Sequence, residues 1–345
     1  MKILVIRNDK LGDFMLTWPA LAVIKHYCPD AHITALVPCY TKPMAEMCPW
    51  IDEIITDHDS LSPLQLARII KKKHFGALLT LFSTGRVALA GFLAGVPYRL
   101  APATKVAQLL YNQRLVQRRS RSVKPEFAYN LDLAYRLIYD FGQYGQQMSA
   151  RASLSGDWLP GEIQRPLLIA PIITTGNDDD LMFSKGLADD SPLIFIHPGT
   201  GGSANNLSPL QYAQLANHIA EAITCRFIIT YGPGEATIAQ ETAQSINTHA
   251  TVHTSKNGLA GFVQTLRHAD LFISGSTGPL HIAGAMNLQT ATFYPGHRSA
   301  TPLRWQTLNA PERRLAFTPP PTDERNVGKT DITAAAQAIV SHFFT

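Results

Sequence analysis

Residues 270–305 read DLFISGSTGPLHIAGAMNLQTATFYPGHRSATPLRW, and the order of residue types in this stretch decides the fold. Leu271-Phe272-Ile273 is a short apolar run of the kind buried in a parallel sheet. Ser274-Gly275-Ser276-Thr277-Gly278-Pro279 reads as a turn, and a small-residue helix is predicted from about Leu280 to Met286. A second apolar strand is expected at Thr290–Tyr294. Pro279 suits a first helical position, whose N–H has no helical acceptor in any case. A turn feeding a helix start presents unpaired backbone N–H groups and the positive end of the helix dipole, which suits a phosphate. His281 falls in that first turn. An ordinary strand-to-helix connection would look the same in isolation, so the reading depends on recurrence.

The pattern recurs at Phe195–Pro209, FIHPGTGGSANNLSP. There a buried strand runs into a loop whose Thr200, Gly201, Gly202 and Ser203 can wrap a diphosphate with amides and hydroxyls. A third strand ends in Ile229-Thr230-Tyr231-Gly232-Pro233-Gly234-Glu235. Glu235 there is either a first-turn acid that complements the helix dipole or an acceptor for a ribose diol. Three strand ends in one half of the chain carry nucleotide-compatible groups. Around them the expected elements are strand Leu193–Ile196, helix Pro209–Thr224, strand Arg226–Thr230, helix Glu235–Ser245, a short strand near Val252 and helix Leu259–Arg267. A polar connection, Pro319–Asn326, leads to a final helix at Ile332–Phe344, placed where it could return to the first domain.

The first half shows the same alternation. Strands are predicted at Ile3–Ile6, Ile33–Val37, Glu53–Ile55 and Ala77–Leu81, and helices at Met15–Tyr27, Thr41–Cys48, Pro63–Lys72 and Leu131–Tyr144. Such alternation predicts a parallel sheet covered on both faces. With 345 residues, two α/β domains are the natural division. They are expected at 1–165 and 191–345, joined by a linker at 166–190 rich in Gly, Pro, Asp and Thr. The fold class is therefore α/β with two doubly wound Rossmann-like domains, and ligands are expected in a cleft at the carboxyl ends of the strands.

The first strand runs into Arg7-Asn8-Asp9-Lys10-Leu11-Gly12-Asp13-Phe14. A single glycine excludes the dinucleotide fingerprint G-x-G-x-x-G. Asp13 is open to two readings, a helix N-cap or a general base that takes the proton of an incoming hydroxyl. Bulk properties narrow the class. Hydrophobic residues make up 46% and charged residues 16% of the chain, which excludes large-scale disorder. The net charge, 30 − 26 = +4, gives no reason to expect nucleic-acid binding. Four cysteines, Cys28, Cys39, Cys48 and Cys225, match no zinc or haem spacing and read as reduced thiols of a cytoplasmic protein. The most apolar run, Val87–Val96, is too short to span a bilayer.

Taken together, KILVIRNDKLGDFMLTWPAL (2–21), ITALVPCYTKPMAEMCPWIDEII (33–55), LAGVPYRLAP (93–102), HPGTGGSANNLSPLQYAQLA (197–216), YGPGE (231–235) and STGPLHIAGAMN (276–287) resemble glycosyltransferase family 9, the ADP-heptose:lipopolysaccharide heptosyltransferases, over nearly the whole chain. The resemblance implies a GT-B fold and an inverting, metal-independent transfer without a cofactor, the nucleotide sugar being a substrate. It implies Asp13 as the base, with Thr200, Gly201, Glu235, Thr277, Gly278 and His281 on the nucleotide. Two departures stand out. The family commonly has a lysine or arginine near Asn205, where this chain has Asn205 and Asn206, and many members have aspartate where Ser276 stands. Lys10, Arg298 and Arg304 are the cations available as replacements.

The basic run Arg114, Arg118, Arg119, Arg121 and Lys124 is either plain charged surface or a dock for an anionic acceptor such as a lipopolysaccharide core, or for a membrane face. The working assignment follows. Asp13 is catalytic. Thr200, Gly201, Gly202, Ser203, Asn205, Glu235, Ser276, Thr277, Gly278, Pro279 and His281 bind the donor. Lys10, Arg118, Arg119 and Arg121 bind the acceptor. No metal site is expected: Asp57-His58-Asp59 has the D-x-D form but sits in the wrong half, and Asp178-Asp179-Asp180 belongs to the linker. The expected partners are a nucleotide sugar and an anionic glycolipid, with peripheral inner-membrane association and no nucleic acid. The competing readings are a nucleotide-sugar epimerase or hydrolase of the same fold, and a non-catalytic nucleotide-sugar-binding protein.

Overall fold

The computed structural model describes residues 1–58, 60–104, 106–143, 148–171, 191–202 and 205–345. The chain divides into two compact units, Met1–Gln164 and Arg165–Thr345.

In the first unit six strands, β1 (Lys2–Ile6), β2 (His32–Pro38), β3 (Glu53–Asp57), β4 (Ala77–Thr80), β5 (Tyr98–Pro102) and β6 (Gln113–Leu115), form one sheet in the order β3-β2-β1-β4-β5-β6. Every pairing is parallel. The central strands β1 and β4 are buried along almost their whole length. Their unbroken apolar runs follow from helices lying on both faces. The helices are α1 (Leu11–Met15), α2 (Trp18–Tyr27), α3 (Lys42–Glu46), α4 (Pro63–Lys72), α5 (Gly85–Leu93) and α6 (Glu126–Asp140). Ser62 caps α4 through a reciprocal bond pair with Gln65, and Pro63 occupies its first turn.

The second unit repeats the plan. Strands β7 (Leu193–His197), β8 (Arg226–Thr230), β9 (Ala250–His253), β10 (Leu271–Gly275), β11 (Gln289–Phe293) and β12 (Arg314–Phe317) are all parallel, in the order β12-β11-β10-β7-β8-β9. Helices α7 (Pro209–Ala222), α8 (Ala236–Gln244), α9 (Gly258–Leu266), α10 (Gly278–Ala285) and α11 (Ile332–Phe343) connect or cover them, and α11 packs along α7. Read within each unit, both sheets have the doubly wound order 3-2-1-4-5-6. Each therefore has one switch point, between β1 and β4 and between β7 and β10. The connections leave in opposite directions there and open a crevice at the strand carboxyl ends. That topology positions the site.

Several elements differ from the sequence expectation. The helix predicted at Met15–Tyr27 is two helices, interrupted at Leu16–Thr17. Pro19 has no N–H to donate and its ring excludes the carbonyl four residues earlier, so a continuous helix cannot form. The Leu16 carbonyl accepts instead from Asn130 Nδ2 at 3.0 Å. Helix α6 begins at Glu126 rather than Leu131, which places Glu126 inside the first unit's buried interior. The strand β5, the edge strands β6 and β12 and the helix α5 have no counterpart among the predicted elements. Of the linker expected at 166–190, residues 172–190, with Asp178–Asp180, lie outside the described residues. Among the described residues no helix is long and apolar enough to cross a membrane.

Candidate active site

At the β1/β4 switch point the chain leaves β1 with Arg7, whose side chain is almost fully buried. Its guanidinium donates in three directions. Nε reaches Asp9 Oδ1 at 2.7 Å, Nη1 reaches Glu126 Oε1 at 3.4 Å, and Nη2 makes a close ion pair with Asp13. Burial by itself would lower the pKa of this guanidinium, but Asp13, Asp9 and Glu126 together raise it. Arg7 is a permanent cation shared by three carboxylates. Glu126 also takes a second guanidinium, Arg119. Two guanidiniums thus face three carboxylates, with the Lys10 ammonium a further cation acting on Asp13. Burial raises the Asp13 carboxyl to about 6; Arg7 opposes the rise, and Asp9 and Glu126 add to it. Asp9 is raised for the same leading reason.

The helix-cap reading of Asp13 does not fit this geometry. The N-cap of α1 is Lys10, no side chain caps that helix, and Asp13 lies in the first turn. Its carboxylate is spent on Arg7 and not on helix amides. Such a group is ionised above about pH 6 and is a stronger base than an ordinary carboxylate. Tyr40 closes one flank, its hydroxyl donating to the Asp9 carbonyl at 2.6 Å. Asp57, at the end of β3, is bound by Arg86 and by Asn8 Nδ2, so its carboxylate belongs to an ion pair.

At the second switch point the loop after β7 curls back through Gly201 and Gly202, both with positive φ (55° and 70°), where glycine carries no steric penalty. Glu235, at the N-cap of α8, holds this loop. Its Oε1 accepts from Gly201 N at 2.7 Å and its Oε2 from Gly232 N at 3.1 Å. Gly199 lies beneath that carboxylate: a Cβ there would come within 2.1 Å of it. The side chain read as a ribose acceptor therefore already braces two strand-end loops. His197, the last residue of β7, lies 3.8 Å from Glu235 and contacts Thr230 Oγ1 at 3.0 Å. Burial lowers its pKa to about 4, so it is neutral. Asn206 ties the same loop down, donating to the Pro198 carbonyl and accepting from Tyr212 Oη.

The end of β10 is different. Thr277 is the N-cap of α10, yet its side chain caps nothing. Its Oγ1 is buried without a hydrogen-bond partner, as is Nδ1 of His281 one turn further on. Both residues are 3% exposed, and a native protein rarely leaves such groups unsatisfied without a functional reason. Burial pushes the His281 imidazole down to about 4, so it stays neutral with one N–H to donate. Pro279 carries no N–H, which leaves Gly278 and Leu280 as the first-turn donors. Hydroxyl, imidazole and amides at a positive helix end make a receptor for anionic oxygen.

The remaining predicted residues are placed as follows. Ser203 lies outside the described residues, as does Asp59. Asn205 Nδ2 donates to the Arg325 carbonyl at 3.1 Å. Ser276 is partly exposed beside Thr277, and Lys10 is exposed at the start of α1. Arg298 is exposed, whereas Arg304 is buried over the Trp305 ring at 5.4 Å. In the basic run Arg118 and Arg121 are exposed, while Arg119 turns inward to Glu126. Among the described residues no group of three His, Cys, Asp or Glu side chains is arranged to hold a metal ion. Sequence reasoning passed over Arg7, to which it gave no role, and Glu126, to which it assigned none.

A family model described as glycosyltransferase family 9 (heptosyltransferase) matches residues 174–325. A putative glycosyltransferase of Haemophilus influenzae is 42% identical over 92% of this chain and 89% of its own length. Among solved structures, the Escherichia coli ADP-heptose lipopolysaccharide heptosyltransferase II aligns over 99% of this chain and 97% of its own, with a TM-score of 0.73 at 18% identity. An E. coli heptosyltransferase solved with ADP aligns over 99% of this chain and all of its own, at TM-score 0.71 and 16% identity. The shared fold is the GT-B type that the sequence implied. The chain belongs to glycosyltransferase family 9, whose model it matches, and the relative similar to it over almost the full length of both proteins is itself named a glycosyltransferase.

Proposed function

We propose that this protein is an inverting glycosyltransferase that moves heptose from ADP-heptose onto a lipopolysaccharide core, with Asp13 as general base. The observation that carries the reading is the Asp13 carboxylate, held at the β1/β4 switch point by Arg7 with its carboxyl raised to about 6. A glycosyl transfer with inversion is one in-line displacement at the anomeric carbon. Asp13 takes the acceptor hydroxyl's proton as that oxygen attacks. The leaving nucleoside diphosphate is received by Thr277, His281 and the first-turn amides of α10, with the loop 200–202 alongside. Neither step calls for a metal or a cofactor. The choice of ADP-heptose is supported by the family and by what the E. coli neighbours are named for.

On the acceptor side, exposed Arg118 and Arg121, with Lys10 at the base, suit an anionic glycolipid. A lipid-linked acceptor would bring the enzyme to the cytoplasmic face of the inner membrane as a peripheral protein. The test is incubation with ADP-heptose, with and without heptose-deficient lipopolysaccharide core, read by mass spectrometry. A heptose mass on the core, present with wild type and absent with Asp13→Ala, is expected. Donor binding by that variant should stay within a few-fold. Intact ADP-heptose and unmodified core with the wild-type enzyme would refute the donor assignment.

A further inference from the structure

Helix α6 and the turn before it form a unit with a geometry that acceptor docking alone does not account for. The turn Arg119–Arg121 is bracketed by two non-glycine residues in the left-handed region, Arg118 (φ 48°) and Ser122 (φ 50°). Conformations of that kind persist only where surroundings enforce them. Here the enforcement comes from α6. Gln117 Nε2 donates to the Tyr129 carbonyl, Arg119 stacks over the Tyr129 ring, and Lys124 pairs with Asp132. The result splits three arginines. Arg118 and Arg121 project into solvent, while Arg119 is turned inward, its Nε on Gln117 Oε1 at 2.8 Å and its Nη1 on Glu126. Glu126 in turn meets Arg7, 119 residues away in sequence, and Arg7 holds Asp13.

We infer that Arg119 and Glu126 are positioning residues, linking the turn that displays Arg118 and Arg121 to Arg7 and so fixing how much of the Arg7 counter-charge reaches Asp13. The inference rests on reading Asp13 as the base. Glu126 competes with Asp13 for one guanidinium, and Arg119 limits that competition by supplying Glu126 with a second. The groups facing Asp13 are Arg7, Asp9, Glu126 and Lys10, with Tyr40 close to the same carboxylates. Removing the Glu126 charge should give Asp13 a larger share of Arg7 and make it more acidic. Removing the Arg119 charge should do the reverse.

The experiment needs no substrate. Protein labelled with ¹³C at aspartate Cγ is titrated by NMR, and the Asp13 resonance is assigned by its loss in Asp13→Asn. Glu126→Gln should lower the Asp13 midpoint, because Glu126 is a like charge acting on it directly, and Arg119→Gln should raise it by a smaller amount, because Arg119 acts only through Glu126. Arg119→Lys, which keeps the charge, should restore the wild-type midpoint. Unchanged midpoints in folded Glu126→Gln and Arg119→Gln proteins, or shifts of the same sign, would overturn the inference. Sugar transfer by Asp13→Ala would overturn the base assignment instead and leave the charge coupling standing.

Discussion

Replacing Asp13 by Asn should remove activity and, above neutral pH, stabilise the fold. The Asp13 carboxyl is held at about 6 against an ordinary 3.8. The gap, 6 − 3.8, is about 2.2, and at about 1.4 kcal/mol per pKa unit it amounts to about 3 kcal/mol. The sign follows from which form the fold prefers. Because the folded-state value is raised, the stabilising contribution is present in full below about 3.8 and is lost as pH rises through about 6. At pH 8 the wild-type protein carries the ionised group at full cost, with the attraction of Arg7 already counted. Asn stays neutral at every pH. The advantage of Asp13→Asn should therefore grow by up to about 3 kcal/mol between pH 4 and pH 8. Urea unfolding at pH 4, 6 and 8 measures this, followed by tryptophan fluorescence, because Trp18, Trp50 and Trp158 all lie in the first unit. A thermal scan should show about 2–4 °C per kcal/mol. A variant less stable than wild type at pH 8, or offset equally at pH 4 and pH 8, would refute the reasoning.

Gly199→Ala should drive a methyl group into the Glu235 carboxylate and free the Gly201 and Gly232 amides, weakening ADP binding about tenfold or more while the sheet stays intact; calorimetric titration with ADP and far-ultraviolet circular dichroism check both halves. Thr277→Val removes a buried hydroxyl that has no partner. Its melting temperature should hold or rise slightly while donor KM rises about tenfold, and unchanged KM would exclude Thr277 from the donor site. Neutralising Arg118 and Arg121 together should raise acceptor KM at low salt with little effect at high salt, because exposed charges are screened; a salt-independent change would speak against electrostatic docking. Arg7→Met leaves three carboxylates without their shared cation and should cost about 3–5 kcal/mol at pH 8, less at pH 5, as measured by urea unfolding.

Much of the fold was legible because central parallel strands are apolar on both faces. The runs LVI in β1, LIFI in β7 and LFI in β10 needed no periodicity to be recognised. Two of the strands passed over, β6 and β12, lie at sheet edges and are three and four residues long, QRL and RLAF. With one side open to solvent they carry neither a continuous run nor a clear alternation. The second site was legible because its signals are local: glycines, hydroxyls and a helix start within a few residues of a strand end. The first was legible only as Asp13. Nothing near Arg7 announces that it is buried, and its partner Glu126 arrives from a helix more than a hundred residues on. A charge network built by tertiary contacts leaves no spacing to read.

On the proposed function, the two units reach opposite chemistry from one topology. Both sheets have the same strand order, and both gather polar groups where that order reverses. In the first unit the crevice gathers three carboxylates around two guanidiniums, and burial forces one member to bind protons more tightly than it would in water. That is the electrical requirement of a base. In the second unit the corresponding crevice at the end of β10 holds donors without acceptors, a hydroxyl and a neutral imidazole beside helix amides. That is the requirement of an anion receptor. The fold supplies the location, and in the proposed mechanism the residues placed there decide whether it takes a proton or receives a leaving group. Exchanging the chemistry thus requires changing only strand-end residues: Asp13→Asn should silence the first crevice and Thr277→Val should weaken the second, while the 3-2-1-4-5-6 core of each unit, buried on both faces, is left as it was.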